Sequence, residues 1–118
     1  MKEILAIIQM NKIDATKEAL NIIGIPSLTV HIVYGRGKQR GLRIPNLSQL
    51  EGADQMRMKF IPKRMISLIV KDGDAEKVIK TIIEVNQTGQ VGDGRIFVSP
   101  IDNAVRVRTG EEGNEALG

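Results

Sequence analysis

Three glycines and an arginine lie close together in the segment Thr88–Val98, which reads TGQVGDGRIFV. Glycine lets the backbone approach a ligand and adopt positive φ, so successive N–H groups can point at a phosphate. Arg95 adds a permanent positive charge with a planar fork of donors. The predicted order is helix, loop and strand, whereas the Walker loop and the dinucleotide fingerprint both lead into a helix. The segment is therefore a candidate anion-binding loop of another kind.

Two further segments carry clustered cationic residues. The segment 35–41 reads GRGKQRG and follows a predicted strand, and Arg106 and Arg108 alternate on the predicted last strand. Because side chains alternate along a strand, these two guanidinium groups are expected on one face. Together the three cationic elements can surround a polyphosphate. The alternative is a solvated turn and a basic sheet edge that discourages aggregation.

Composition excludes several classes of function. The 118 residues include no cysteine and one histidine, His31, which removes thiolate chemistry and argues against a zinc site or a histidine-based triad. No paired carboxylates, nucleophile elbow or metal-ligand spacing occurs, which favours a binder over an enzyme. Asp93, inside the glycine-rich loop, is expected to brace the turn. No apolar run is long enough to cross a bilayer and no signal peptide is visible, so we expect a cytoplasmic protein.

Hydrophobic periodicity predicts the order β-α-β-long loop-β-α-β with a small terminal strand. The predicted elements are a strand at 4–9, a helix at 14–23, a strand at 28–33, an extended limb near 56–60, a strand at 65–70, a helix from about 74 to 88, and strands at 96–98 and 104–108. This pattern predicts an α+β ferredoxin-like sandwich with both helices on one face of an antiparallel sheet. Aliphatic residues on both strand faces predict oligomerisation, and the acidic tail from Gly110 is expected to be mobile.

The chain resembles the PII signal-transduction proteins over nearly its whole length. The segments that carry the resemblance are the first strand at 1–8, the glycines and Gln39 at 35–41, FIPK at 60–63, TGQVGDGRIFV at 88–98 and VRVRTGE at 105–111. The resemblance implies one domain over 1–118, with a T-loop at about 36–60, a B-loop at 88–95 and a C-loop at about 102–110. It also implies a βαββαβ trimer with adenine nucleotide in each cleft between subunits.

The resemblance implies roles for individual residues. The implied nucleotide-binding residues are Thr29 near the adenine, Gly37 and Lys38 at the T-loop base, Gly92, Asp93, Gly94 and Arg95 on the phosphates, and Arg106 and Arg108 from the neighbouring subunit. Gln39 would ligate Mg²⁺ beside 2-oxoglutarate, with Gly41 in the same site, and Lys63 would pair with a carboxylate of that ligand. The effectors would be ATP or ADP, Mg²⁺ and 2-oxoglutarate, bound without catalysis.

Two departures from the PII pattern narrow the resemblance. The T-loop is longer than in many PII proteins, and its segment 50–55, LEGADQ, lacks the tyrosine that is nucleotidylated in many of them. Ser67 stands where many members have a glutamate. With such a loop the chain resembles the PII-like proteins encoded with nitrogenase genes in archaea and some anaerobic bacteria. Two paralogous proteins of this kind act together, and the chain resembles the one with the longer loop. This implies control of the dinitrogenase component by a homotrimer or by a hetero-oligomer with a paralogous chain.

Two alternatives stay open at this point. One is a PII protein that acts on an ammonium channel or a biosynthetic enzyme, which a pull-down with a T-loop deletion as control would separate. The other is an RNA-binding ferredoxin-like module, which requires stacking aromatics and a steep salt dependence. The chain has one tyrosine, two phenylalanines and no tryptophan, so we expect no nucleic-acid partner, and we expect no membrane insertion.

Overall fold

Four antiparallel strands and two helices make up the computed structural model, which describes residues 1–36 and 60–118. In chain order the elements are β1 (Lys2–Gln9), a 3-10 turn (Met10–Lys12), α1 (Ile13–Ile22), β2 (Thr29–Gly35), β3 (Ile61–Val70), α2 (Asp72–Asn86), β4 (Gly94–Pro100) and a C-terminal 3-10 helix (Gly113–Leu117). The strands follow the order β2-β3-β1-β4, and every neighbouring pair is antiparallel. This arrangement confirms the predicted ferredoxin-like fold.

The helices lie within a few residues of their predicted bounds, whereas the strands are longer. β3 begins at Ile61 because it pairs with β1 on one side and β2 on the other, which keeps Lys63 and Arg64 in the sheet although they interrupt the apolar pattern. The predicted limb near 56–60 falls outside the described residues, apart from Phe60. No helix in the described part of the chain is long and apolar enough to span a membrane.

The predicted last strand at 104–108 is wrong. Val105 forms a single bridge with Glu112, and residues 107–109 form a turn that the N–H of Gly110 closes by donating to the carbonyl of Arg106 at 2.7 Å. Gly110 has a φ of 75°, so it reverses the chain where a strand would have continued. Arg106 and Arg108 therefore do not share a strand face, and the tail predicted to be mobile folds into the C-terminal 3-10 helix.

The hydrophobic core lies between the helices and one face of the sheet. Its buried residues are Ile4, Ala6 and Ile8 on β1, Ile66, Leu68 and Val70 on β3, and Leu20, Ala75, Val78 and Ile82 on the helices. Because side chains alternate along a strand, the odd-numbered residues of β1 lie on the opposite face. We call that opposite face the open face; it carries Leu5, Ile7, Met65, Ile69 and Phe97, and Phe97 is 52% exposed.

A buried polar pair joins the two helices. The Nδ2 of Asn86 donates to Thr16 Oγ1 at 3.0 Å and to the carbonyl of Ile82 at 2.9 Å, and both side chains of the pair are buried. The Thr16 hydroxyl donates to the carbonyl of Lys12 at 2.7 Å, so toward Asn86 it can only accept. The pair therefore fixes the last residue of α2 against α1, directly before the glycine-rich loop begins.

We expect Thr16→Val to lower the free energy of unfolding by about 1–3 kcal/mol, because it leaves a buried N–H of Asn86 without an acceptor. Thr81→Val is the matched control, since Thr81 also donates to the carbonyl four residues earlier, Lys77, at 2.7 Å, but its hydrogen bond is exposed. The control should cost within about 0.5 kcal/mol. Urea unfolding measures both variants, and equal losses would contradict the structural role of the pair.

Candidate functional site

The loop between α2 and β4 is organised around the carboxylate of Asp93. Its Oδ2 accepts from the N–H groups of Thr88 at 2.7 Å and Gly89 at 2.9 Å, and its Oδ1 accepts from the Thr88 hydroxyl. The bond from that hydroxyl, then the two N–H donors and the charge of Lys12, lower the pKa of Asp93. The carboxylate is therefore charged at neutral pH and braces the turn, and the brace is lost only as the pH falls through this lowered pKa.

Two glycines determine the path of the loop into β4. Gly92 and Gly94 have φ values of 106° and 117°, which disfavour any residue with a Cβ. At Gly94 a Cβ would also lie 1.9 Å from the carbonyl oxygen of Ile7 on β1. Only glycine allows this close approach, so the loop lies directly against β1, and Gly94 itself begins the paired part of β4, opposite Ile8.

Lys63 reaches the same loop from β3. Its Nζ donates to the carbonyl oxygen of Gly92 at 2.6 Å, and the Nε2 of Gln9 donates to the same oxygen at 3.2 Å. Lys63 is 9% exposed, and none of the salt bridges within residues 1–36 and 60–118 includes it. The pKa of Lys63 is lowered, because burial disfavours the charged form more than the charge of Asp93 favours it. An anion in contact with this ammonium group would therefore supply countercharge that the carbonyl does not.

Lys63 and Arg95 lie at the same end of the open face. Gln9 lies opposite Lys63 in the β1–β3 register, and Ile7 lies opposite Arg95 in the β1–β4 register. Directly opposed residues project to the same side of a sheet, so Lys63 and Arg95 share the open face. A hollow of about 450 Å³ adjoins Lys63 and is lined by Gln9, Met10, Asn11, Ile61, Pro62, Lys63 and Val91. The arrangement offers a site for an anionic group beside the loop.

The other predicted residues lie farther from this centre or outside the described part. Thr29 is the exposed first residue of β2, opposite Ser67, while Val33 lies opposite Lys63. Thr29 and Val33 are separated by about 13 Å along the strand and lie on the same face. Four predicted residues of the T-loop base, Gly37, Lys38, Gln39 and Gly41, lie outside the described residues.

Arg106 is not brought to the loop at 88–95 of its own chain. Its Nη1 donates to Glu111 Oε1 at 2.7 Å, and its Nη2 donates to the carbonyls of Glu115 at 2.9 Å and Gly118 at 3.0 Å. Arg108 lies in the turn at 107–109 and is exposed. The arginines predicted to act on a nucleotide are therefore held in the C-terminal part of the fold.

Sequence reasoning missed two residues of the site. Gln9 donates to the Gly92 carbonyl, and the available signal was a polar residue at the end of the alternating apolar pattern of β1. Thr88 supplies two donors to Asp93, and the available signal was a hydroxyl residue five positions before the only carboxylate of the loop. Both residues shape the loop, and neither adds a charge.

Known proteins are similar to this chain over almost its whole length. The family model described as nitrogen regulatory protein P-II matches residues 1–111. The nitrogen fixation nifHD region GlnB-like protein 2 of Methanobacterium ivanovii is 50% identical, over 99% of this chain and 99% of that protein. The nitrogen fixation nifHD region GlnB-like protein 1 of Methanothermobacter marburgensis is 45% identical, over 96% and 99%. The crystal structure of Arabidopsis thaliana PII bound to citrate matches with a TM-score of 0.77 at 35% identity, covering 98% of this chain and 88% of that one.

Gly94→Ala should cost at least about 3 kcal/mol of unfolding free energy, because a positive φ and a clash with the Ile7 carbonyl act together. Gly89→Ala is the matched control: its φ is 84°, but no atom lies within 4 Å of the added Cβ. It should cost about 1 kcal/mol, from φ alone. Urea unfolding compares the two, and equal costs would show that the loop does not depend on contact with β1.

Proposed function

The chain belongs to the nitrogen regulatory protein P-II family, and we propose that it is a non-catalytic sensor of adenine nucleotide and 2-oxoglutarate that regulates nitrogen fixation. A nitrogen-regulatory role follows from the family. The relatives named for a nitrogen fixation gene region favour nitrogen fixation as the regulated process. The observation that carries the proposal is that Lys63 and Arg95 lie at the same end of the open face as the loop braced by Asp93, and that Lys63 donates to that loop.

The phosphates of ATP or ADP would bind the loop at 88–95. Backbone N–H groups around Gly92 and Gly94 and the guanidinium of Arg95 are donors suited to phosphoryl oxygens. Asp93 holds the loop in place through three hydrogen bonds, which lowers the entropic cost of binding. The remaining proposed contacts are Thr29 with the adenine, Gly37 and Lys38 from the T-loop base, and Arg106 and Arg108 from a neighbouring copy.

2-Oxoglutarate would bind beside the nucleotide, and one of its carboxylates would replace the Gly92 carbonyl as the acceptor for Lys63 Nζ. Gln39 would ligate Mg²⁺ in the same site as Gly41. Residues 1–36 and 60–118 contain no group of three or more His, Cys, Asp or Glu able to hold a metal ion. Magnesium would therefore depend on phosphate oxygens and the Gln39 amide oxygen, which are the hard donors it prefers.

An assembly of three copies, or one with a paralogous chain, would cover the apolar open face. Phe97 is 52% exposed on that face, and Leu5, Ile7, Met65 and Ile69 lie beside it without full burial. The proposed target is the dinitrogenase component, contacted through the T-loop at 36–60, in the cytoplasm. Ligands would shift the T-loop between states only by binding those states with different affinities.

Calorimetry tests the proposed roles of Lys63 and Gln39. In the presence of Mg-ATP, Lys63→Met and Gln39→Ala should each weaken 2-oxoglutarate binding by at least about tenfold, because each removes a charged or ion-mediated contact. ADP affinity should change by less than about threefold in Gln39→Ala, and in Lys63→Met it should fall less than 2-oxoglutarate affinity, because that variant also removes one of the two donors to the Gly92 carbonyl. Lys71→Met, which removes the same charge from an exposed position, is the control and should leave both affinities unchanged. Equal losses of ADP and 2-oxoglutarate affinity, or no loss, would refute the assignment.

A further inference from the structure

The chain's own C-terminal segment binds the guanidinium group of Arg106. The carboxylate of Glu111 accepts from Nη1 at 2.7 Å, and the carbonyls of Glu115 and Gly118 accept from Nη2 at 2.9 and 3.0 Å. Glu111 is reached across the turn, whereas the two carbonyls belong to the C-terminal 3-10 helix and the residue after it. One side-chain carboxylate and two backbone oxygens therefore surround a single arginine.

These contacts engage both of the donor pairs that an arginine can offer to a phosphate. An end-on pair uses Nη1 and Nη2, and a side-on pair uses Nη2 and Nε. Nη1 is bonded to Glu111, and Nη2 has two carbonyl acceptors for its two N–H groups. A phosphate can therefore form a two-donor contact with Arg106 only if part of the segment at 111–118 moves away.

The geometry points to the segment at 111–118 as an internal competitor: we propose that Glu111 and the carbonyls of Glu115 and Gly118 occupy Arg106 and that a bound polyphosphate displaces them. Glu111 then helps to determine the affinity of the site for a polyphosphate, although its own carboxylate repels phosphate. The inference rests on the proposed nucleotide site and adds to it an acidic residue that sets its affinity.

The turn that carries Arg106 is held independently of these side-chain contacts. The N–H of Arg106 donates to the carbonyl of Glu111 at 2.8 Å, and the N–H of Gly113 donates to the carbonyl of Ala104 at 3.0 Å. The side chains of Arg106 and Glu111 are 23% and 40% exposed, so their ion pair is partly screened by water. The guanidinium can thus be released while the backbone of the turn stays in place.

Titration with Mg-ATP at fixed ionic strength tests the competition. Glu111→Gln should raise the affinity by about three- to tenfold, because it weakens a charge-assisted contact that the phosphate must replace. Glu112→Gln removes the same charge from the next residue, which accepts from Asn103 Nδ2 at 2.8 Å instead of from Arg106. This control should change the affinity by less than about 1.5-fold. A chain ending after Glu112, which lacks both carbonyl acceptors, should also bind more tightly than the full chain.

A double-mutant cycle assigns the effect to Arg106. In an Arg106→Ala background, Glu111→Gln should no longer change the affinity. Weaker binding by Glu111→Gln would mean that Glu111 positions Arg106 for the ligand, and equal effects of Glu111→Gln and Glu112→Gln would mean a general charge effect; either result overturns the proposal. Mg-ATP binding that no tail variant alters would leave the nucleotide site intact and remove the competitor. If Mg-ATP bound to none of the three proteins (the full chain, Glu111→Gln and the shortened chain), the proposed nucleotide site would be refuted as well.

Discussion

The carbonyl oxygen of Gly92 is the atom on which the rest of the candidate site depends. Lys63 on β3 and Gln9 on β1 both donate to it, and the two residues lie opposite each other in the sheet register. The sheet therefore holds the loop through one backbone acceptor. Lys63 is nearly buried there against a neutral group, which lowers its pKa and makes a neighbouring anion favourable. The hydrogen bond from Lys63 to Gly92 thus positions the loop and also places there an ammonium group that favours a neighbouring anion.

Different physical constraints fix the two ends of the loop. At its start, the buried pair of Asn86 and Thr16 holds the end of α2 against α1. At its end, Gly94 approaches the β1 backbone so closely that no side chain fits. Between them, Asp93 gathers donors from Thr88 and Gly89. A loop fixed in this way would lose little further entropy on binding phosphate, as the proposed sensing of nucleotide requires.

The features that were predicted from the sequence are the ones with local signals. Strand and helix periodicity predicted the ferredoxin-like fold, and glycine spacing predicted the loop at 88–95. The alternation of Arg106, Val107 and Arg108 gave a wrong strand prediction, because period-2 patterning does not show whether a partner strand exists. Gly110 reverses the chain there instead. The contact of Gln9 with Gly92 depends on register between segments far apart in the chain, which periodicity does not contain. The roles of Gln39 and its neighbours in the T-loop stay predictions.

The most direct test of this account is the pKa of the Lys63 ammonium group, followed through its 13Cε resonance by NMR without ligand, with Mg-ATP, and with Mg-ATP and 2-oxoglutarate. Without ligand the pKa of Lys63 should lie below the ordinary value for a lysine side chain, because burial disfavours the charge. Saturating ligand should raise the pKa of Lys63 and shift the amide resonances of residues 89–95, while those of α1 stay unchanged. A pKa of Lys63 that does not respond to either ligand would contradict the claim that this lysine and the braced loop form an anion-sensing site.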